Sequence, residues 1–433
     1  MGFIEEPARR TPVLAETQVL VVGGGSAGVA AAVAAARAGA ETMLIERSGA
    51  LGGLATGGLI VLFLTLDDGA GRQVVAGLCQ EATDRLLERD AAHAPAPETW
   101  GSTDPALLEQ ARRWGLVWGS PPHRVRYSVA YDPEEFRFCL VSMCEDRGVR
   151  LLLHCLACEA IRDGNRLRGV TFQGKSGRFA VLADVVVDAT GDGDVLASAG
   201  VRFEAEKVLP WLWFRMGGVD DVEGALDAGA WFFRTGSRGQ VLLPWGATDR
   251  IVRKIDATDP ADLTLAELAC RKNVMEAVAK LRAELPQFAQ AHVCEIARDL
   301  GITESRRMVG RAVVRRDDMD RPLKDAIAIT GHWTKYGALY WIPYGALLPH
   351  DLTNLVVAGR CISVDHRTHH ATKEIPACMA TGEAAGTAAA LSALSRTPLP
   401  DLGLDTLRAR LRAEGAIVDL DTSGRPGPVV PQA

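Results

Sequence analysis

The feature that most constrains this chain is a glycine triplet caught between two regular elements. Gln18–Val22 is a short apolar run with valine at three of five positions, the pattern of a strand buried on both faces. Gly23-Gly24-Gly25-Ser26-Ala27-Gly28 follows. Val29–Ala38 is then almost pure alanine and valine, a slim helix closed by Gly39, and Thr42–Ile45 is a second strand ending at Glu46-Arg47. In such a β-α-β unit each glycine has a duty. Gly23 allows the sharp turn, Gly25 lets backbone approach a pyrophosphate, and Gly28 lets helix and strand pack closely. The helix N-terminus offers free N–H groups and partial positive charge to phosphates. Glu46 stands where an acidic residue binds ribose hydroxyls. The unit therefore predicts a dinucleotide site.

The remaining chain fits an α/β reading. Acids begin a helix at Asp132-Pro133-Glu134-Glu135, and strands are expected at 150–161, 168–173, 179–182, 184–188 and 354–358. Helices are expected over 71–92, 261–284, 376–394 and 404–414. Residues 1–16 read as a loose leader, 93–124 as irregular, and the Pro/Gly tail as disordered.

Composition narrows the function classes. Of 433 residues, 48% are hydrophobic and 24% charged, as in ordinary globular proteins, and the formal charge of −6 leaves no basic surplus for nucleic acid. The longest apolar run, 59–66, is about a third of a membrane span. Nine cysteines, an odd and scattered set, argue for reduced thiols, and the acidic N-terminus shows no signal peptide. A cytoplasmic protein without nucleic-acid or membrane partners is expected.

Two more segments bear on which dinucleotide is bound. Val185-Val186-Val187-Asp188-Ala189-Thr190-Gly191-Asp192 is a buried strand ending in Ala-Thr-Gly, and Asn354–Ala358 is another, followed by Gly359-Arg360-Cys361-Ile362-Ser363. With Glu304-Ser305-Arg306-Arg307 and Tyr340-Trp341-Ile342-Pro343-Tyr344-Gly345, the sequence resembles the FAD-dependent oxidoreductases of the glutathione-reductase-like, two-dinucleotide-fold group. The resemblance covers the N-terminal 65 residues and the stretches 185–200, 300–310 and 340–392.

It implies a Rossmann-like FAD domain with a central parallel sheet, assembled from 1–65, 131–200 and 341–395. A helical or irregular insertion would span 66–130, a mixed α+β substrate domain 201–340, and a C-terminal helix and tail 396–433. By resemblance, Gly23, Gly25, Ser26, Ala27 and Gly28 meet the FAD pyrophosphate, Glu46 the adenosine ribose and Arg47 the adenine side. Gly53, Leu54, Ala55 and Thr56 run along the isoalloxazine edge. Thr190, Gly191 and Asp192 lie near the adenine and ribityl part, and Gly359 and Arg360 at the ribityl phosphate. Gly382 and Ala385 belong to the helix whose start faces the flavin pyrimidine.

The segment Asp365-His366-Arg367-Thr368-His369-His370 stands out. Zinc is disfavoured because no paired cysteines sit nearby, so no metal is expected. His366 and His369 are candidates for proton transfer coupled to hydride transfer, or else are hydrogen-bonded loop residues. Arg306 either orients a substrate carboxylate or stabilises reduced flavin, or else is ion-paired with Glu304 and Asp299. Tyr340, with His332, Trp333 and Tyr336, is a candidate pocket wall. Cys155-Leu156-Ala157-Cys158 lies in a strand-like run and reads as inert.

The expected function is hydride transfer between a small organic substrate and flavin N5. A flavin monooxygenase is the alternative, then a non-redox flavin lyase or hydratase, then a non-catalytic flavin-binding protein. Substrate, electron acceptor (O2, a quinone or NAD(P)) and any homo-oligomer are left open.

Overall fold

The computed structural model describes residues 3–244, 246, 250–251 and 253–420. The expected disordered tail falls largely outside them. The first glycine-flanked unit forms as read: β1 is Val13–Val22, α1 Ser26–Arg37 and β2 Thr42–Ile45. β1 begins inside the expected leader, because Val13 to Thr17 find partners along Ala180–Ala183.

The main sheet adds β3 (Arg150–Leu152), β4 (Leu156–Asp163), β5 (Arg166–Gly174), β6 (Gly177–Asp188) and β7 (Leu355–Val357). Its order is β3-β2-β1-β6-β5-β4, with β7 also on β6. The pairs β1–β2, β1–β6, β2–β3 and β6–β7 are parallel, whereas β4–β5 and β5–β6 are antiparallel hairpins. Two expectations are corrected. The run 150–161 is two strands, separated where His154 takes φ +60°, and 179–188 is one continuous strand.

Register decides where a ligand can sit. Val22 pairs with Ile45 on one side and Asp188 on the other, and Asp188 pairs with Val357. Four parallel strands thus end level, and the four segments that follow them emerge along one carboxyl edge, where open α/β sheets take ligands.

Against this sheet lie α1 and a long apolar helix. Three further helices matter below: α2 (Pro260–Glu284), α3 (His366–Thr372) and α4 (Ile375–Ser395). A Cβ on Gly382 would come within 2.1 Å of the Ala27 carbonyl oxygen, and one on Gly386 within 1.9 Å of that of Ala31. These two glycines, one turn apart, let α4 cross α1 backbone to backbone.

Residues 201–340 build a second layer. A four-stranded antiparallel sheet runs in the order Phe233–Arg234, Val241–Leu243, Phe214–Gly217, His292–Ile296, with α2 packed beside it. Among the described residues only the seven-stranded sheet contains parallel strand pairs. In 66–130 the expected long helix shortens to Leu78–Glu88, and the stretch read as irregular contains a helix, Pro105–Arg113, capped by the Asp104 carboxylate. No described helix is long and apolar enough to cross a membrane.

Candidate active site

A cavity of about 640 Å³ opens at the carboxyl edge of the main sheet, within the range of small-molecule and cofactor sites. Its lining joins segments far apart in sequence: Gly23 to Ala27, Glu46 to Ser48, Gly52 to Ala55, Ala189 to Asp192 and Ala358 to Arg360. These are the segments that follow β1, β2, β6 and β7, together with the Gly52–Ala55 turn.

The floor is shaped for phosphate. Gly25 caps α1 with no side-chain hydrogen bond, and Val29 is the first residue whose N–H reaches back to the Gly25 carbonyl. The N–H groups ahead of it have no partner within the helix. A Cβ on Gly25 would meet no protein atom within 4 Å, so its backbone faces open cavity. Gly23 (φ +101°) is required for another reason: a Cβ there would lie 2.5 Å from the Ala189 carbonyl oxygen. The loops after β1 and β6 therefore touch backbone to backbone.

Glu46 is buried and oriented. Its carboxylate accepts from the Gly24 N–H (2.6 Å) at Oε2 and from the Ser48 N–H and hydroxyl (2.7 and 2.8 Å) at Oε1, and Oε2 keeps acceptor capacity for a ribose hydroxyl. Across the cavity, Asp188 braces the next loop. It accepts from the Thr190 N–H and hydroxyl and, through its other oxygen, from the Leu196 N–H at 2.8 Å. Burial pushes its pKa up to about 6. Arg360 ties three loops together, donating to the carbonyls of Ile302 (2.8 Å) and Gly191 (3.3 Å) and to Asp192 (3.2 Å).

α4 points its start at the same space, with Glu374, Ile375 and Cys378 in the lining and Lys373 just before them. Burial raises the Glu374 carboxyl, opposed by Lys373 at 3.4 Å, and pushes the Cys378 thiol up to about 12. The opposite wall is aromatic: Trp118, Trp211, Trp213, Trp231 and Trp333. Trp211 and Trp213 stand 5.3 Å apart between centroids, Trp118 and Trp333 5.5 Å. Gly301 lets Trp211 lie flat, since a Cβ there would be 2.2 Å from the indole.

Several expected site residues lie elsewhere. Gly28 is a packing residue, its missing Cβ making room for the Gly23 carbonyl at 1.8 Å. Thr56 is fully buried and donates to the Leu51 carbonyl (2.7 Å), while Gly382 and Ala385 lie in the α1–α4 contact. Arg306 lines neither cavity; it donates to the Asp192 carbonyl (3.1 Å) and pairs with the Asp194 carboxylate (3.0 Å), a different acid from the Glu304 and Asp299 expected. Tyr340 is 1% exposed and lines no cavity described here. Trp333 alone of its aromatic cluster reaches the dinucleotide cavity; Tyr336 instead covers the Arg126 guanidinium at 3.9 Å.

The histidine segment is a short helix, and its side chains face a separate groove rather than the dinucleotide cavity. Buried Glu304 organises it. One carboxylate oxygen takes Arg307 (2.5 Å), and the other takes His366 Nδ1 (2.8 Å) and lies 3.5 Å from His369 Nδ1. His369 also donates from Nε2 to the Arg360 carbonyl (3.1 Å). Burial, with Lys373, Arg360 and Arg307 nearby, holds His369 well below the usual imidazole range, hence neutral. No cluster of three or more metal-ligating side chains occurs among the described residues.

All nine cysteines are free thiols. Cys155 and Cys158 flank the start of β4 and line neither cavity, and burial raises the Cys155 thiol. Cys155→Ser with Cys158→Ser is expected to leave the flavin reduction rate within about twofold of wild type; loss of most activity with FAD retained would show a thiol step.

Three comparisons bear on this site. The family model for FAD-dependent oxidoreductases matches residues 18–411. No curated protein matches the chain. Among solved structures, a geranylgeranyl bacteriochlorophyll reductase-like protein from Thermoplasma acidophilum is 14% identical, covering 94% of each chain with a TM-score of 0.45. The p-nitrophenol 4-monooxygenase of Pseudomonas putida is 13% identical over 94% of this chain and 91% of its own, TM-score 0.47. An L-amino acid deaminase from Proteus vulgaris is 14% identical over 93% and 95%, TM-score 0.44. Likenesses this faint say nothing of substrate. With the family model spanning nearly the whole chain and its dinucleotide segments meeting at one sheet edge, the protein belongs to the FAD-dependent oxidoreductases.

Proposed function

We propose that this FAD-dependent oxidoreductase passes a hydride between a small organic substrate, held on the tryptophan side of the cavity, and flavin N5. The observation that carries the reading is the convergence of Gly25, Glu46, Thr190 and Gly359 on one cavity whose far wall is indole. When bound, FAD supplies the two-electron chemistry. The chain's own residues bind and orient. Gly25, Ser26 and Ala27 offer backbone N–H groups to the pyrophosphate, and Glu46 and Arg47 hold the adenosine end. Gly53, Leu54 and Ala55, with Thr190 to Asp192 and Gly359-Arg360, frame the remainder. The uncapped start of α4, with Lys373 beside it, favours negative charge at its end of the cavity. The five indoles exclude water and give an apolar substrate body a surface to stack on.

The domain division 1–65, 131–200 and 341–395 for FAD, with 201–340 for substrate, is part of this proposal, as is a cytoplasmic location. The glutathione-reductase-like grouping rests on the motif resemblance; of that group's two dinucleotide folds, the described residues build one.

The purified chain is expected to be yellow, with one FAD per chain, and to bleach anaerobically with a metabolite donor from a panel. Colourless protein stabilised by NAD but not FAD would overturn the cofactor site. Full FAD occupancy with no donor able to reduce it would favour the non-redox or non-catalytic alternatives.

A further inference from the structure

Beside the dinucleotide cavity lies a groove of about 790 Å³, and the two share Trp211, Thr303 and Lys373 in their linings. The groove is strongly unbalanced in charge. Six lysine and arginine side chains line it (Lys207, Lys254, Arg316, Lys335, Arg367 and Lys373), against one carboxylate, Glu304. Glu304 is already committed to Arg307 and His366. Lys254 has Glu206 at 3.6 Å and Lys373 has Glu374 at 3.4 Å. Among the described residues, Lys207, Arg316, Lys335 and Arg367 have no carboxylate within 4 Å.

Lys207 is partly offset by Asp256 and Asp262, but Arg316, Lys335 and Arg367 line the same concavity and repel one another unless an anion enters. The histidines between them register that field. His332 and His370, 5.7 Å apart between ring centroids, are each pushed down to about 4, by burial first and then by neighbouring cations: Lys335 and Arg126 for His332, Lys373 and Lys335 for His370. At neutral pH these rings are therefore neutral, free to donate one hydrogen bond and accept another. They come from two separate elements, the turn after Gly331 and α3, so the chemistry is assembled by the fold.

We propose that this groove binds the anionic end of the substrate, a small organic molecule carrying at least two carboxylate or phosphate groups, whose reacting end passes Lys373 into the cavity. The inference deepens the oxidoreductase reading and rests on it for the word substrate. A single carboxylate would leave most of the positive charge unmet, and an apolar molecule would have to desolvate it without return. Trp211, common to both chambers, would then lie along the molecule's middle, and Trp333, 4.9 Å from His370, at its side.

The test uses the full chain loaded with FAD, so that the pyrophosphate floor is filled. Citrate, inorganic pyrophosphate, acetate and NADPH are titrated while indole fluorescence and flavin absorbance are followed. Citrate or pyrophosphate is expected to give a saturable change that acetate does not. The Kd should rise at least about tenfold in the Lys335→Gln, Arg316→Gln double variant, and again when salt is raised. Both substituted residues are exposed, so the fold should persist, and an unchanged flavin spectrum checks that the cofactor stays. No saturable response to either polyanion, an unchanged Kd in the double variant, or a response to NADPH alone would overturn the proposal; the last would assign the groove to a nicotinamide donor. If the chain carries no FAD, the oxidoreductase reading fails first. The same citrate titration on the flavin-free chain then decides the groove by itself, since indole fluorescence needs no cofactor.

Discussion

Gly25→Val should yield a folded, colourless protein. A Cβ at this position meets no protein atom within 4 Å, and Gly25 sits at φ −67°, ψ 177°, a backbone conformation any residue adopts. Stability of the FAD-free chain should therefore stay within about 1 kcal/mol of wild type. The new branched side chain would stand in the space the pyrophosphate needs, beside N–H groups that can then no longer be reached. FAD affinity should fall by at least about a hundredfold, read as flavin content after purification and by titration of the stripped protein. Gly28→Ala provides the contrast, because its Cβ would lie 1.8 Å from the Gly23 carbonyl oxygen. Overpacking of that kind costs roughly 1–3 kcal/mol or more, so this variant should lose melting temperature even without FAD. Normal FAD content in Gly25→Val would remove the pyrophosphate from this turn.

That contrast shows what a glycine motif tells and what it leaves out. The triplet was legible because each glycine answers a backbone constraint that local sequence expresses, namely a strand before it and a small-residue helix after it. The spacing assigned Gly28 to packing and Gly25 to the ligand; what it did not say is that Gly28 makes room for the Gly23 carbonyl and that Gly23 in turn lies against the Ala189 backbone. Thr56 looked like part of the glycine-rich turn, yet its hydroxyl is spent on Leu51. The break at His154 was invisible, since a non-glycine residue at positive φ leaves no compositional mark. The indole wall was also out of reach: Trp118, Trp211, Trp213, Trp231 and Trp333 come from several elements and meet only after the antiparallel layer folds. The histidine segment did signal itself by composition. What sequence could not give was its side of Lys373, which decides whether imidazoles face the dinucleotide or the cationic groove.

Asp188 offers the second large effect, and its pH dependence has a definite sign. Three donors, the Thr190 N–H, the Thr190 hydroxyl and the Leu196 N–H, end on its carboxylate, and the residue is fully buried at the end of β6. Asp188→Ala strands them all. An unmet buried donor costs about 1–3 kcal/mol, so a net loss of roughly 3 kcal/mol is expected after the relief of no longer burying a charge. The Thr190–Asp192 loop should loosen and FAD affinity drop at least about tenfold. Asp188→Asn isolates the charge. In the wild type, the folded-state pKa is raised from 3.8 to about 6 by burial. Above pH 6 the carboxylate is ionised in both folded and unfolded chains, and the fold carries the full cost of burying it. As pH falls from about 6 toward 4, the folded chain takes up the proton first, so wild-type stability rises relative to Asp188→Asn. The gap should shift toward wild type by about 3 kcal/mol across that window and level off below it. Melting temperatures of the FAD-free proteins at pH 8, 6 and 4, taken as differences between the two chains, cancel the other titrating groups. A difference that stays flat with pH would mean that the Asp188 carboxyl is not raised by burial, and that this loop is braced by hydrogen-bond geometry alone.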